Sequence, residues 1–302
     1  MDFPRTLRVA GSLIFLVGIF AYIQPWNYMN SLVQASGGLI FLSLMGIGSS
    51  LVVNTLGYAL LLRQHRISFH KMWGYTTSSW SVESLTPGKL GAFALAHYIQ
   101  KSGVPASEGG GVVLAYRFML GMVTLVLALI GGTLLFATSI SFSFLEWGSI
   151  ILVIGIVLGL FGKKLLIAIL SFLPRDIQKK FLDTWSHARS AFTRENIFML
   201  LGITLLQLGI LAGIYWLMFL HAGYDPGYWH VLVATSIVQM AVLIPISING
   251  IGIRESVFGI LLAQVGIPLH ATIGISLLNT AVGYGVLALL MIGKTGKWAL
   301  RR

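Results

Sequence analysis

The sequence predicts an all-α integral membrane protein with about six full transmembrane helices and two broken, re-entrant helical hairpins. Three observations lead to this fold class. Of the 302 residues, 56% are hydrophobic and only 10% are charged, and the mean hydropathy is +0.87, which is typical of a polytopic membrane protein. Long apolar runs recur along the whole chain. Two of the apolar stretches are interrupted by proline, glycine and charged residues, and unwound backbone at membrane depth is tolerated only where protein or a water-filled cavity surrounds it.

The basic residues lie mainly at one end of the apolar runs. With 20 Lys and Arg against 9 Asp and Glu, the formal charge is +11. Three loops contain no Lys or Arg, namely 24–35, 139–147 and 221–230. This distribution follows the positive-inside rule, so we expect a multi-pass protein of the cytoplasmic (inner) membrane with both termini in the cytoplasm. Because topology accounts for the excess of positive charge, we expect no nucleic-acid partner.

Other common chemistries find little support. The sequence contains no cysteine, so neither disulfides nor thiol chemistry is expected. The seven histidines show none of the spacings that bind metals, so we predict no metal site and no cofactor. The N-terminal apolar stretch lacks a small-residue cleavage site, and we interpret it as a retained first span rather than a cleaved signal peptide.

Six apolar runs approach or exceed the length of a transmembrane helix, which needs about 20 residues. In order, they are 7–23, 36–62, 111–136, 148–169, 197–220 and 271–292. Between the second and third runs, a Ser- and Thr-rich segment at 72–85 is separated by glycine and proline from a short helix at 92–100. Between the fifth and sixth, two short apolar helices at 231–244 and 256–265 flank another break. None of these short helices can cross a bilayer. Each broken element is therefore expected to return to the side of the membrane from which it enters.

Residues 174–194 are predicted to form an amphipathic helix at the cytoplasmic interface. Apolar residues recur there at helical spacing, with basic residues elsewhere round the turn. Pro174 suits the first turn of such a helix. Anchoring in the interface and binding of a partner both stay open as its role.

The two broken elements share an order of parts, which predicts an internal repeat. A shift of 163 positions places Gly103-Val104-Pro105 on Gly266-Ile267-Pro268. We divide the single membrane domain, 1–302, into repeat 1 at 1–140, with its re-entrant element at 72–105, and repeat 2 at 147–302, with its re-entrant element at 231–268. Three full spans in each repeat make the second copy inverted. Inverted repeats with discontinuous helices are typical of secondary transporters, whose substrate site lies at the breaks.

The second break carries the most specific motif, PISINGIGIRE at 245–255. Together with the short helix, the Gly-Ile-Pro turn and the last span, it resembles the transmembrane domain of the lysylphosphatidylglycerol synthetase family. The segment LTPGKLG at 85–91 is similar to the first hairpin of that family, and the resemblance covers nearly the whole chain. It implies a stand-alone, flippase-like protein. Because we see no room for the soluble aminoacyl-transfer domain of bifunctional members, we expect lipid translocation rather than lipid aminoacylation.

The chain departs from the family pattern at two places. Ala92 stands where the family often has an acid. The third span has Tyr116-Arg117 and then Leu120, where the family often has Glu-Arg and a later acid. Arg117 is therefore expected to lack its usual acidic neighbours.

The candidate substrate-binding residues are the polar or flexible residues at the breaks and one charge in the third span. They are Glu83, Lys89, Arg117, Ser247, Asn249, Gly250, Gly252, Arg254 and Glu255. Arginine binds phosphate through a planar fork, and we expect free backbone N–H groups of Gly250 and Gly252 to add donors at the helix start. We also predict an ion pair between Arg254 and Glu83, in which a lipid phosphate competes with Glu83 for Arg254.

A structural alternative stays open for each of these residues. The charges at the breaks can serve only to lock the hairpins together. Arg117 can snorkel to the headgroups instead of facing a cavity, and Lys89 can simply set the topology. Ser247 and Asn249 can satisfy unwound backbone.

These observations predict a flippase or transporter that moves an anionic lipid or lipid-linked precursor across the cytoplasmic membrane. The expected partners are membrane lipids, with an anionic phospholipid or a polyprenyl-phosphate-linked molecule as cargo, and envelope-biosynthesis proteins. Two alternatives stay open: a non-transporting scaffold of an envelope lipid or glycan assembly complex, and an integral-membrane lipid-modifying enzyme. We do not favour the enzyme, because Glu83 and Glu255 are accompanied by no Asp pair and no His nucleophile.

Overall fold

The computed structural model describes residues 36–86, 90–136, 174–243 and 250–299. Within these ranges all regular secondary structure is helical, which confirms the all-α membrane fold class. The spans predicted at 7–23 and 148–169 lie outside the described residues, as do the candidate residues Lys89, Ser247 and Asn249.

The described residues form nine α-helices. In chain order they are α1 (Ser36–Leu61), α2 (Phe69–Glu83), α3 (Ala94–Ile99), α4 (Ala106–Leu135), α5 (Arg175–Ser190), α6 (Arg194–His221), α7 (Tyr228–Val242), α8 (Ile253–Ala263) and α9 (Leu269–Ala299). Short 3-10 helices lie at Arg63–His65, Leu90–Phe93 and Gln100–Ser102.

Four of the helices are long and apolar enough to cross a membrane. These segments are Gly37–Leu61, Ala106–Leu135, Arg194–His221 and Leu269–Leu290. Each coincides with a predicted span, because a run of about 20 apolar residues without a breaker has few stable alternatives to a helix. The chain is therefore a multi-pass membrane protein.

Both interrupted apolar stretches are helical on either side of a break. The helices α7 and α8 have 15 and 11 residues, and α2 and α3 have 15 and 6, so none reaches the length of about 20 residues needed for a span. The helix predicted at 92–100 is less regular than expected, since 3-10 turns flank α3 on both sides. The hydroxyl of Ser79 on α2 donates to the carbonyl oxygen of Ala92 in the first of these turns, at 3.0 Å.

The two Gly-x-Pro turns that suggested the repeat have the same backbone conformation. The φ angles of Gly103 and Gly266 are 84° and 82°, in the left-handed region that glycine adopts without steric cost. In each turn the proline is the residue just before a long helix: Pro105 comes before α4, and Pro268 comes before α9. The repeat itself, with its boundaries at 1–140 and 147–302, stays a prediction.

The chain separates into two compact units. Unit 1 comprises Met1–Gly48, Ser84–Lys89 and Leu211–Arg302, and unit 2 comprises Ser49–Glu83 and Leu90–Ile210. The core of unit 2 is built by α1, α2, α3, α4 and α6 around fully buried side chains that include Met72, Ile99 and Tyr116. In the core of unit 1, Phe258 of α8 is 1% exposed, and its ring lies 5.0 Å from the ring of Tyr215 on α6.

The amphipathic helix α5 packs closely against α4 in unit 2. A Cβ atom placed on Gly111 of α4 would lie 2.7 Å from the backbone nitrogen of Ala188 and 2.6 Å from the Cβ atom of His187. Beyond the end of α5, the ring of Phe192 packs edge-to-face on Phe118, with 5.8 Å between ring centroids. Contact with the spanning helix α4 therefore holds α5 in place, in addition to any anchoring in the membrane surface.

A single methyl group at position 111 tests this contact. Gly111→Ala is expected to displace α5, because the new Cβ atom would overlap backbone atoms that cannot move independently. Amide hydrogen exchange in Arg175–Ser190 should then accelerate. Gly121→Ala is the matched control, since a Cβ atom there meets nothing within 4 Å and alanine favours the helix by up to about 1 kcal/mol. Equal exchange in the two variants would contradict the close packing.

Candidate functional site: polar clusters in the two units

Unit 2 contains an ion pair between a spanning helix and a broken element. The Nη2 atom of Arg117 on α4 donates to Oε2 of Glu83, the last residue of α2, at 2.5 Å. The two side chains are only 24% and 13% exposed. The acids that the family usually has in this helix are absent here, and Glu83 at the end of α2 supplies a carboxylate to Arg117 instead. Pairing inside the protein also leaves no need for Arg117 to snorkel.

Two tyrosines lie beside this ion pair. Tyr116 is fully buried, and its hydroxyl donates to Oε1 of Gln207 on α6 at 2.8 Å. The ring of Tyr58 on α1 lies 4.8 Å from the ring of Tyr116. Gly57 makes room for this arrangement, because a Cβ atom there would come within 2.5 Å of the Tyr116 ring. The side chains next to Arg117 therefore join α1, α4 and α6.

Arg117 retains capacity to bind a further anionic group. In the described part of the chain, its buried Nε atom has no hydrogen-bond partner. A guanidinium group carries several N–H donors in a planar fork, and this fork matches the oxygens of a carboxylate or a phosphate. The geometry around Arg117 is thus compatible with a second acceptor, or with an acceptor that replaces Glu83.

In unit 1, Glu255 completes the N-terminus of α8. Its Oε2 accepts the N–H of Gly252 at 2.6 Å, and its Oε1 accepts the hydroxyl of Ser276 on α9 at 3.0 Å. The residue is 1% exposed. As the third residue of α8, with Gly252 as the N-cap, Glu255 occupies the carboxylate position of a capping box, where the helix dipole favours a negative charge.

This cap corrects one prediction made from the sequence. The N–H of Gly252 is not a free donor, because the carboxylate of Glu255 binds it. Gly250 and Gly252 instead allow the backbone to turn, since their φ angles are 75° and 87°. A Cβ atom on Gly250 would also overlap the side chain of Val242.

Arg254 lies at the same helix start and points to a polar face of α9. Its Nη1 atom donates to the hydroxyl oxygen of Thr280 at 3.0 Å, and this hydroxyl donates to the carbonyl oxygen of Ser276 at 2.9 Å. Asn279 lies about one turn after Ser276 on α9, and its Nδ2 atom donates to the hydroxyl of Tyr215 on α6 at 3.0 Å. Residues three and four positions apart share a helix face, so α9 presents a polar face to α6 and α8.

The two clusters occupy equivalent positions of the proposed repeat. The shift of 163 carries Tyr116 to Asn279 and Arg117 to Thr280. In each unit the first residue hydrogen-bonds to α6, and the second binds a charged residue of the broken element. The charges are arranged differently: unit 2 has its arginine on the spanning helix, and unit 1 has it on the broken element.

The structure groups the described candidate residues into two sets. Glu83 and Arg117 meet in unit 2. Gly250, Gly252, Arg254 and Glu255 share the start of α8 in unit 1. Because Arg254 and Glu83 belong to different units, the ion pair predicted between them stays a prediction.

The sequence interpretation missed the hydroxyl partners on α9. The shift of 163, applied beyond the Gly-x-Pro turns, places Thr280 on Arg117 and could have identified it. The same shift places Ser276 on Val113 and Tyr215 on Val52, so it does not identify these two residues. Gln207 and Asn279 join helices to each other.

Comparison with protein families covers nearly the whole chain. The family model described as the lysylphosphatidylglycerol synthase TM region matches residues 6–290. This range includes every residue of both polar clusters. No curated protein and no solved structure matches the chain significantly.

A double-mutant cycle tests the ion pair of unit 2. Glu83→Ala is expected to lower the free energy of unfolding by about 3 kcal/mol, because it leaves the guanidinium of Arg117 largely buried and uncompensated. The double variant Glu83→Ala/Arg117→Met should be more stable than Glu83→Ala alone, since it removes the unpaired charge. Thermal unfolding in detergent measures both.

The exposed pair Arg63–Glu195, at 2.8 Å and with side chains 53% and 72% exposed, is the matched control. Solvent screens such a pair, so little coupling is expected there. Strictly additive losses at Glu83 and Arg117 would contradict a direct interaction between them.

Proposed function

Because the chain belongs to the lysylphosphatidylglycerol synthase transmembrane-region family, we propose that it moves an anionic lipid or a lipid-linked precursor across the cytoplasmic membrane. The family places the chain among membrane proteins related to lipid handling, and translocation is the step that we add. The proposed cargo carries a phosphate, as an anionic phospholipid or as a polyprenyl-phosphate-linked precursor.

The observation that carries the proposal is an arginine in the polar cluster of each unit. Arg117 lies within the apolar helix α4, and Arg254 is the second residue of α8. A charged side chain at membrane depth costs several kcal/mol, roughly 3 on insertion scales, so it marks a functional site by default. Guanidinium groups are also the side chains best suited to bind a phosphate.

In unit 2, an arriving phosphate would compete with Glu83 for Arg117. The carboxylate neutralises the guanidinium while no cargo is bound, which lowers the cost of keeping the charge away from water. A phosphate offers the same kind of acceptor oxygens and can take the carboxylate's place. The exchange substitutes one charge-assisted hydrogen bond for another, so neither state is held too strongly for release.

In unit 1, Arg254 is the cargo-binding residue and Glu255 is its structural support. Glu255 holds the start of α8 through its hydrogen bonds with Gly252 and Ser276. This fixes the backbone position from which the side chain of Arg254 extends. Thr280 offers Arg254 a neutral oxygen at 3.0 Å, and a phosphate oxygen binds a guanidinium more strongly than a hydroxyl does. Ser247, Asn249 and Lys89 remain candidates for further contacts with the headgroup.

The scaffold alternative draws support from α5. This helix is fixed to α4 through Gly111 and exposes charged residues that include Lys179, Lys180 and Asp183, as a docking helix for envelope-biosynthesis proteins would. Under the scaffold alternative, substitution of Arg254 affects stability alone.

Lipid movement in proteoliposomes distinguishes these functions. Fluorescent phospholipids, and in parallel a labelled polyprenyl phosphate, are followed with the wild-type protein, Arg254→Ala and the control Gly121→Ala. We expect Arg254→Ala to slow the transported lipid by about tenfold or more, because a hydrogen bond to a charged group contributes about 1.5–3 kcal/mol. The control should retain the wild-type rate. Absence of movement for every lipid, or an equal rate in folded Arg254→Ala, would contradict the proposal.

A further inference from the structure

A cluster of aromatic rings lies in unit 1 where α6 ends and α7 begins. The ring centroids of Trp216 and Tyr228 are 6.1 Å apart with planes at 83°, and those of Tyr228 and Trp229 are 5.3 Å apart with planes at 73°. These are edge-to-face contacts, the geometry that aromatic rings prefer. Trp229 is 66% exposed, so most of its indole is accessible from outside the protein.

A carboxylate is fixed beside these rings. The Oδ1 atom of Asp225 accepts the indole N–H of Trp216 at 3.1 Å and the backbone N–H of Gly227 at 2.9 Å. The N–H of Gly227, and then that of Trp216, lower the pKa of Asp225 below its usual value. Both bonds use one oxygen, and in the described chain no residue donates to the other. An ionised and exposed carboxylate oxygen is therefore held next to aromatic rings.

The loop that carries Asp225, residues 221–230, has no Lys or Arg, in a chain that has 20 of them. His221 and His230 are its basic residues. Among the described residues, none forms an ion pair with Asp225, so its negative charge is available to a cation from outside the chain.

The position of the cluster restricts which cations reach it. It follows the C-terminal end of α6, a 28-residue apolar helix whose charged residues Arg194 and Glu195 are at the opposite end. It also precedes the apolar helix α7. A turn between two such helices lies at the boundary between membrane and water, where lipid headgroups are the most concentrated solutes.

We propose that Asp225, Tyr228 and Trp229 form a binding site for the ammonium group of a lipid headgroup. The carboxylate supplies the opposite charge, and an accessible aromatic face attracts a cation through its quadrupole. The site is independent of the function proposed above, since it selects a positive group and uses none of the residues of the polar clusters.

An interfacial aromatic belt is the simpler explanation for the tryptophans. Trp and Tyr are enriched at both membrane surfaces because their rings are apolar and their N–H and O–H groups are polar. A belt requires neither a carboxylate nor a particular headgroup. The two explanations therefore differ in how lipid binding depends on the charge of Asp225.

The test compares the lipids that the full chain retains. Protein purified from nanodiscs with equal phosphatidylethanolamine and phosphatidylglycerol is analysed by native mass spectrometry, with wild type, Asp225→Asn, Trp229→Leu and the control Phe198→Leu. Asparagine keeps the oxygen that Trp216 and Gly227 bind, so the turn is preserved. Phe198 is an exposed aromatic residue, at 69%, near the other end of α6.

We expect the wild type and Phe198→Leu to retain severalfold more phosphatidylethanolamine per chain than Asp225→Asn and Trp229→Leu, while the phosphatidylglycerol that the arginines of the polar clusters would bind stays equal in all four. An unchanged amount of phosphatidylethanolamine in Asp225→Asn would overturn the proposal. An effect of Trp229→Leu alone would assign the cluster to an aromatic belt.

Discussion

The cost of keeping a positive charge among apolar helices governs the arrangement of both units. Arg117 is held by the carboxylate of Glu83 at the end of α2, and Arg254 reaches a hydroxyl on α9. Each contact joins a spanning helix to an element that is too short to span. Glu83 is the last residue of α2 and Arg254 is the second residue of α8, so the ends of short helices bring charged side chains to polar partners on spanning helices.

The helix α6 connects this polar chemistry to the rest of each unit. Gln207 and Tyr215 lie on it and bind Tyr116 and Asn279, the residues that precede Arg117 and Thr280. The shift of 163 relates Tyr116 to Asn279 and Arg117 to Thr280. In each unit the first residue contacts α6 and the second contacts a charged residue of a short helix, but the arginine lies on the spanning helix in unit 2 and on the short helix α8 in unit 1.

Hydropathy and breakers in the sequence were sufficient to predict much of the fold, and they failed for the contacts of individual side chains. The helices at 36–62, 111–136, 197–220 and 271–292 were found within a few residues, because a long apolar run has one stable form in a bilayer. The partner of Arg117 was missed, since Glu83 is 34 positions away and only the folded chain brings it near. The helix cap that Glu255 forms was also missed, because the hydrogen bond from the N–H of Gly252 to its carboxylate depends on the turn that the folded backbone makes.

Photo-crosslinking measures directly whether a lipid phosphate competes with Glu83 for Arg117. An anionic phospholipid with a photoreactive headgroup is bound to the wild type, Glu83→Gln and Arg117→Gln, and the modified peptide around residue 117 is quantified. We expect a higher yield for Glu83→Gln, because the amide competes less well than a carboxylate, and a lower yield for Arg117→Gln. Yields that fall equally in both variants, or that change in neither, would contradict the exchange of carboxylate for phosphate.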